Sequence, residues 1–451
     1  MAKLFGLSQL DFFRSSLDER SQQSLASAVQ RIIDVKKHGG RVMVVTGSGP
    51  NIHEGVTTLI AELIRAGIID AVSTSSAVIA HEMAGSLDRV YRVDAKALGM
   101  NMDKMPRGDV FEFTCMNDDE ITALKREMPL DDDLLERGKN LPHVNEIIKA
   151  AGNMAYPMGL RTERLAHEVL SLARMYGLPF EAVAGWGCDE HTMLGAASRK
   201  NIPVLVTIPQ LVGGGAVEMS IGDSIPISEH SMRISRMIAS CDVIIESAVA
   251  LTQEIHDGPF ECYTGHGIWA WWSGQNTYSL RGKSLIRIDL DENLRRAVEL
   301  NATVQEAIDK GLPKTKAAKI PFRMEMSAFA RHEGSIPVVG DIGKVLPLIA
   351  HDAAQELGIN LEFLSASQDT QEGQSMREWI VDSRQASEQR KDVITRQKFC
   401  DIVFRKRHIA IIKKGVFAII SKKPAKKWTM PSSALRGKRG MAILWRLRFM
   451  R

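Results

Sequence analysis

The chain has 451 residues, of which 44% are hydrophobic, so it has room for two or more domains or for one large domain with extensions. No apolar run approaches the roughly 20 residues of a membrane-spanning helix, and acidic residues near the N-terminus argue against a signal peptide. The five cysteines are widely spaced without a Cys-x-x-Cys pair, which predicts neither a zinc knuckle nor a disulfide framework and favours the reducing cytoplasm.

The formal net charge of +4 hides a strong asymmetry along the chain. Residues 390–451 hold 19 of the 58 Lys and Arg and 2 of the 54 Asp and Glu, so this basic tail carries +17 and residues 1–389 carry −13. The acidic body argues against nucleic acid as its partner and favours a small cationic substrate. For the tail we expect binding to nucleic acid or acidic lipid, a flexible extension, or an artefact of translation such as a frameshift.

The first part of the chain alternates between short apolar runs and helical patterns. After a helical N-terminal extension at 1–40, the patterns predict a strand at 41–46, a helix at 55–67, a strand at 69–76 and a helix at 77–87. Residues 88–158 contain acidic runs and several Met and Pro. We interpret them as a less regular insertion that could cover a site.

The alternation resumes after the insertion. The patterns predict helices at 160–177, 188–200, 229–240, 292–311 and 343–358, and strands at 181–187, 202–208, 242–247, 284–290 and 336–341. Such alternation predicts an α/β fold: a doubly wound, mostly parallel sheet with helices on both faces. We expect this domain to span 41–360 and to be followed by a linker at 361–389.

Small and acidic residues follow several predicted strands, at positions that meet at one edge of a parallel sheet. They are Gly47, Ser48 and Gly49; Thr74, Ser75 and Ser76; Gly213 and Gly214; and Asp289 and Asp341. Glycine amides and helix N-termini suit phosphate oxygens, and carboxylates suit ribose hydroxyls, so the set predicts a dinucleotide site. Each group alone is more often a turn or a helix cap, and the first loop matches neither a Walker loop nor Gly-x-Gly-x-x-Gly.

Four polar residues near these strand ends are candidate catalysts: His81, Glu82, His191 and His256. Histidine transfers protons near neutral pH, and we rank His81 and Glu82 first because their helix follows Ser76 directly. The alternative for each residue is a surface or capping role. We expect no metal, because the spacings match no standard zinc site.

Three blocks in the same order resemble deoxyhypusine synthases: IHEGVTTLIAELIRAGIIDAVSTSSA at 52–77, AASRKNIPVLVTIPQLVGGG at 196–215 and IPVVGDIGKVLPLIAHDA at 336–353. The resemblance implies that superfamily's Rossmann-related fold and NAD as cofactor, with contacts at Gly49, Thr74, Ser75, Ser76 and Asp341. No Trp-Gly-Lys sequence occurs for the family's lysine nucleophile, and Gln253 stands at the position of its catalytic histidine. The resemblance therefore implies the fold and the cofactor but leaves the substrate open.

The chain is also similar to the NAD-dependent ornithine cyclodeaminase domain of bifunctional arginine-degrading enzymes. The similar blocks are HEGVTTLIAELIRAGIIDAVSTSSAVIAHE at 53–82, CDVIIESAVALTQEI at 241–255 and LIRIDLDENL at 285–294. This resemblance adds Asp289 as a cofactor contact. Related enzymes place active sites between subunits, and the apolar loop Trp269–Trp272 suits an interface, so we expect a dimer or tetramer.

The expected function is that of an NAD-dependent enzyme acting on ornithine or a polyamine-like amine. Transient oxidation of the amine-bearing carbon to an imine would precede elimination, cyclisation or transfer. The alternative is a non-catalytic NAD-binding or scaffold protein of the same fold, which would keep the strand-end contacts without the family's catalytic residues.

Overall fold

The computed structural model describes residues 7–47, 55–84, 89–105, 109–143, 145–148, 155–206, 215–247, 260–261, 278–312, 332–362, 364–366, 370–376, 378–379, 409–412 and 416–419. The chain divides into two units, Met1–Lys391 and Asp392–Arg451. In the second unit, two strands form an antiparallel pair. No helix in these described ranges has the length and apolar character needed to cross a membrane.

The strands are β1 Val42–Val45, β2 Ala71–Thr74, β3 Arg89–Asp94, β4 Val110–Thr114, β5 Asn145–Ile148, β6 Val204–Val206, β7 Val243–Ser247, β8 Phe260–Glu261, β9 Tyr278–Ser279, β10 Ser284–Asp289, β11 Ser335–Val339, β12 Ile409–Ile412 and β13 Val416–Ile419. The α-helices are α1 Leu10–Ser15, α2 Glu19–Lys37, α3 Val56–Arg65, α4 Ser76–Ala84, α5 Asp118–Glu127, α6 Asp132–Asn140, α7 Met158–Tyr176, α8 Phe180–Ala184, α9 Met193–Lys200, α10 Gly215–Ser224, α11 Ile227–Ala239, α12 Asn293–Glu299, α13 Asn301–Asp309 and α14 Ile342–Glu356.

Six parallel strands form the central sheet, in the order β11-β10-β7-β1-β2-β6. Read from the β6 edge and numbered along the chain, this order is 3-2-1-4-5-6, which is the order of doubly wound dinucleotide-binding sheets. The predicted α/β fold with a parallel sheet is therefore confirmed.

The sheet strands are short apolar runs because helices cover both of their faces. Side chains alternate between the two faces of a strand. Val42 and Val44 of β1 join the larger core with α2, α3 and α14, whereas Met43 and Val45 join a smaller core with α11. Helix α3 is buried from Val56 to Ile64, so it is an inner element of the larger core.

The predicted strand at 181–187 is wrong, because helix α8 occupies this stretch. Glu181 explains part of the difference. It is fully buried, and its Oε1 accepts a hydrogen bond from the backbone amide of Val206 at 2.7 Å. The helix propensity of Glu and Ala outweighs the short apolar run in this sequence.

Two predicted helices have different bounds in the structure. The helix predicted at 292–311 is divided into α12 and α13 at Leu300. The helix predicted at 188–200 begins only at Met193, because Thr192 Oγ1 caps it by accepting a hydrogen bond from the amide of Gly195 at 2.9 Å.

The segment expected to be a less regular insertion contains an antiparallel sheet in the order β4-β3-β5, together with α5 and α6. Tyr91, Phe111 and Phe113 contribute to its small aromatic core. The ring of Phe113 lies where a side chain at Gly138 would be, since an added Cβ would come within 2.2 Å of it. This close packing requires glycine in α6.

After α14 the chain returns along α3. The amide of Glu362 donates a hydrogen bond to Glu62 Oε1 at 2.5 Å, and Leu364, Ala366 and Met376 are buried. We define the described residues of this stretch, 362, 364–366 and 370–376, as the return segment. It falls within the stretch expected to be a linker, so the first part of that stretch packs against the α/β domain. The domain boundaries stay a prediction.

Candidate functional site

The strand order of the central sheet reverses between β1 and β7. Val45 of β1 lies in register with Ser73 of β2 on one side and with Glu246 of β7 on the other. In open parallel sheets, ligands bind beyond the carboxyl ends of the strands at such a reversal. The residues that end β1, β2 and β7 are therefore the first candidates for a site.

Within the described part of the chain, no side chain caps helix α3, which follows β1. Its N-cap residue is Gly55, with a φ of 76° in the left-handed region that favours glycine. Val56, Thr57 and Thr58 of the first turn are buried. A helix N-terminus of this kind presents backbone N–H groups and a partial positive charge to an anion.

Three other long helices that follow strands of the sheet have their N-terminal amides bound by side chains. Ser75 Oγ accepts from Val78 N in α4 at 3.3 Å, Glu163 Oε2 accepts from Ala216 N in α10 at 2.7 Å, and Asp341 Oδ1 accepts from Gly343 N in α14 at 2.7 Å. A carboxylate at α10 disfavours a second anion there. Among these four helices, α3 is thus the one whose N-terminus binds no described side chain, which leaves it available to a phosphate.

Two buried hydroxyl groups lie at the end of β2, next to β1. Ser73 and Thr74 have no exposed surface, and neither Ser73 Oγ nor Thr74 Oγ1 has a hydrogen-bond partner among the described residues. Leaving such a group unsatisfied costs about 1–3 kcal/mol, which a ligand oxygen could offset. Hydroxyls at β2 and amides at α3 are donors that fit the phosphates and riboses of NAD.

A buried ion pair lies on the other side of β1. Arg287 Nε of β10 is 2.9 Å from Glu246 Oε2 of β7, and neither side chain is appreciably exposed. The two residues are in register, and Glu246 is in register with Val45. The carboxyl end of the sheet at the strand reversal is therefore polar as well as buried.

Glu82, a predicted catalyst, binds backbone amides in the structure. Its Oε1 accepts from Met193 N at 3.0 Å and its Oε2 from Leu194 N at 2.7 Å, so the carboxylate stabilises the N-terminus of α9. His81, its neighbour in α4, is also buried. The catalytic role of both residues stays a prediction, and the contacts of Glu82 give it a structural role.

His191, another predicted catalyst, lies in the turn before α9. Its Nδ1 is 2.9 Å from Asp189 Oδ1, and the adjacent carbonyl of Glu190 accepts from Arg65 Nη1 at 2.8 Å. Arg65 ends α3, and a helix of ten residues is about 15 Å long. His191 therefore lies toward the end of α3 that is remote from Gly55.

The remaining predicted site residues fall into two groups. Asp289 Oδ1 accepts from Asp291 N at 3.3 Å in the turn after β10, and Asp341 caps α14, so both carboxylates have local structural contacts. Gly47 follows β1 and Ser76 begins α4. The others lie outside the described residues: Ser48, Gly49, Gly213, Gly214 and His256.

Sequence reasoning missed Glu246, Arg287 and Glu163. A signal existed for the first two, because the strands VIIES and SLIRID each carry one charged residue within an apolar run, and the two charges are opposite. Buried charges are rare unless they are paired. Glu163 lies in an amphipathic helix with other acids, and nothing in that pattern marks it as a helix cap.

The described residues also line an open pocket of about 540 Å³ in another part of the domain. Its walls include Arg41 and Pro203, which precede β1 and β6, so it lies at the amino ends of these strands. It thus lies at the opposite end of the strands from the candidate site. No cluster of potential metal ligands occurs within the described residues.

No protein-family model matches the chain, and no curated protein sequence matches it. Solved structures with some likeness include ArgZ, an arginine dihydrolase from the ornithine-ammonia cycle in cyanobacteria, with 13% identity and a TM-score of 0.37. AgrE in a ternary complex with ornithine and NAD+ has 13% identity and a TM-score of 0.35. A conserved LOR/SDH protein from Methanococcus maripaludis S2 has 11% identity and a TM-score of 0.33.

The likeness to these structures is partial. It covers 75% of this chain but 34% of the ArgZ and AgrE chains, and 79% of this chain and 70% of the Methanococcus protein. At such low TM-scores, these matches carry no argument about function.

Proposed function

We propose that the chain is an NAD-dependent enzyme that acts on a small cationic amine or amino acid, with ornithine or a polyamine-like compound as the substrate class. The observation that carries the proposal is the N-terminus of α3. It begins with a glycine, has no capping side chain among the described residues and follows the strand at which the sheet order reverses.

The residues proposed to hold the cofactor lie around this helix end. The amides of the first turn of α3 would bind the pyrophosphate, and Thr74 Oγ1, buried without a described partner, would bond to a phosphate or ribose oxygen. Ser75 and Ser76 start α4 beside them. NAD, when bound, would accept hydride from the carbon that carries the substrate amine.

The proposed substrate is cationic because residues 1–389 carry a net charge of −13. His81 remains the proposed acid–base group, since Glu82 is committed to the backbone of α9. AgrE is described with ornithine and NAD+, the same classes of ligand, but at a TM-score of 0.35 this likeness is no support for the proposal.

A non-catalytic NAD-binding protein is the second candidate. The observation that favours it is that three carboxylates predicted to act at the site, those of Glu82, Asp289 and Asp341, bind backbone amides instead. Adding ornithine to the NAD+ complex separates the two candidates. An enzyme produces transient NADH fluorescence, and a binding protein does not.

Thermal unfolding during an NAD+ titration tests the cofactor. At 100 times its dissociation constant, a ligand of the folded state stabilises it by about 2.7 kcal/mol. A matched pair, Gly55→Asp and Gly55→Asn, separates charge from size, since both side chains tolerate a positive φ. The aspartate should weaken NAD+ binding far more than the asparagine. Equal binding by the two variants, or no stabilisation of the wild type, would contradict the proposal.

Other expectations stay predictions. They are a dimer or tetramer, and binding of nucleic acid or acidic lipid by the basic tail at 390–451.

A further inference from the structure

We propose that Ser365, in the return segment, is a further contact for the pyrophosphate of a dinucleotide bound at the N-terminus of α3. This inference rests on the proposed function and names a residue that lies far outside the strand-end motifs.

Described residues of the return segment contact α3 at two points, one at Glu62 and one at its N-terminus. The amide of Glu362 is bonded to Glu62 Oε1, and Ser365 Cβ lies 3.2 Å from the position that a Cβ on Gly55 would take. The seven residues from Gly55 to Glu62 span about 10 Å of helix. The two contacts therefore lie about 10 Å apart along α3, with Ser365 at its N-terminal end.

Contacts on both sides hold Ser365 in place. Leu364 and Ala366 are fully buried, and Leu364 belongs to the larger core. Further along, Thr370 Oγ1 accepts from Gln9 Nε2 at 3.0 Å, and Met376 Cε lies 3.4 Å from the same Cβ position at Gly55. A side chain fixed in this way loses little conformational freedom when a ligand binds.

The hydroxyl of Ser365 is the second observation that points to a ligand at this helix end. Ser365 has no exposed surface, and its Oγ has no hydrogen-bond partner among the described residues. A serine hydroxyl can donate to a phosphate oxygen, and a hydrogen bond to a charged group is stronger than one between neutral groups. Ser365 would thus add a donor to the amides of α3.

The experiment compares Ser365→Ala with Ser335→Ala in the full-length protein. Ser335, at the start of β11, also has a buried Oγ without a described partner, but it lies at the other edge of the sheet. NADH binding is followed by fluorescence and ADP-ribose binding by calorimetry. The thermal midpoint without ligand is measured for each protein.

We expect Ser365→Ala to weaken both ligands by about ten- to a hundred-fold, the effect of one hydrogen bond to a charged group. Ser335→Ala should bind like the wild type, and both variants should keep the wild-type midpoint without ligand. Unchanged affinity in Ser365→Ala, with a wild type that binds both ligands, overturns this inference alone. A lowered midpoint with unchanged affinity shows a structural role and also overturns it. A wild type that binds neither ligand overturns the proposed function and this inference together.

Discussion

Arg287 and Glu246 form an ion pair between β10 and β7, with Nε and Oε2 2.9 Å apart and with side-chain exposures of 0% and 1%. Removing one partner of such a pair breaks a buried charge–charge interaction, which typically costs 3–5 kcal/mol. We expect Arg287→Leu to lower the free energy of unfolding by about this amount in urea denaturation.

The double variant Glu246→Leu/Arg287→Leu is the control for that prediction. Replacing both charges with apolar side chains removes both buried charges, so it should cost less than Arg287→Leu alone. A double variant as unstable as the sum of the two single variants would show that the charges do not act as a pair.

Glu82 and His81 are adjacent in α4. We expect substitution of Glu82 to affect stability and substitution of His81 to affect turnover. Glu82→Ala leaves the amides of Met193 and Leu194 unbonded, so it should lower the free energy of unfolding by roughly 2–5 kcal/mol. His81→Ala should keep NAD+ binding and reduce turnover by about 10²–10⁴-fold if His81 transfers a proton. Urea denaturation and steady-state kinetics distinguish the two outcomes. Wild-type turnover in His81→Ala, with NAD+ bound, would move the acid–base role to another residue.

Thr74→Val tests the buried hydroxyl at the end of β2. Valine keeps the shape of threonine without its Oγ1, which has no partner among the described residues. Removing an unsatisfied hydroxyl should leave stability unchanged or raise it. If the cofactor bonds to this hydroxyl, NAD+ affinity should fall by about tenfold, and Thr74→Ser should retain it. Equal NAD+ affinity in Thr74→Val and the wild type, measured by calorimetry, would exclude Thr74 as a contact.

His332 makes stability depend on pH. Burial lowers its pKa below the ordinary 6.5, and the neutral ring uses both nitrogens: Nε2–H donates to Leu280 O at 2.8 Å and Nδ1 accepts from Gly334 N at 2.8 Å. As pH falls through 6.5, the unfolded chain binds the proton first. The stabilisation is therefore complete above pH 6.5 and is lost as pH falls toward the folded-state pKa.

The variant His332→Gln can donate and accept hydrogen bonds but does not titrate. We expect its thermal midpoint to fall less between pH 8 and pH 5 than the wild-type midpoint. Parallel pH profiles for the two proteins would show that another group controls acid stability.

The strands of the central sheet could be predicted because most are short runs of β-branched and other apolar residues, and this pattern is local. The pairing of Glu246 with Arg287 could not, because it depends on the register of two strands and joins residues 41 positions apart. The same limit applies to Glu82, whose partner Met193 lies 111 positions away. In the sequence, Glu82 stands beside His81, which is a pattern typical of a catalytic pair. In the structure, the carboxylate of Glu82 binds the N-terminus of α9.

The local sequence pattern also did not indicate that the return segment contributes to the proposed site. Ser365 lies in a polar stretch that is typical of a linker. Its proximity to Gly55 and the burial of Leu364 and Ala366 are properties of the fold. By contrast, the polar end of β2 could be predicted, because Thr74, Ser75 and Ser76 lie between a short strand pattern and a helical pattern.

The hydrogen bond between Glu62 and Glu362 joins residues 300 positions apart. Contacts of such long range form slowly, because the intervening loop must close first. The last sheet strand ends at Val339, so the ribosome releases the whole sheet 26 residues before Ser365. At translation rates of about 5–20 residues per second, this interval lasts roughly 1–5 seconds. The sheet can thus assemble during synthesis before Ser365 and Met376, which contact the N-terminus of α3, have been made.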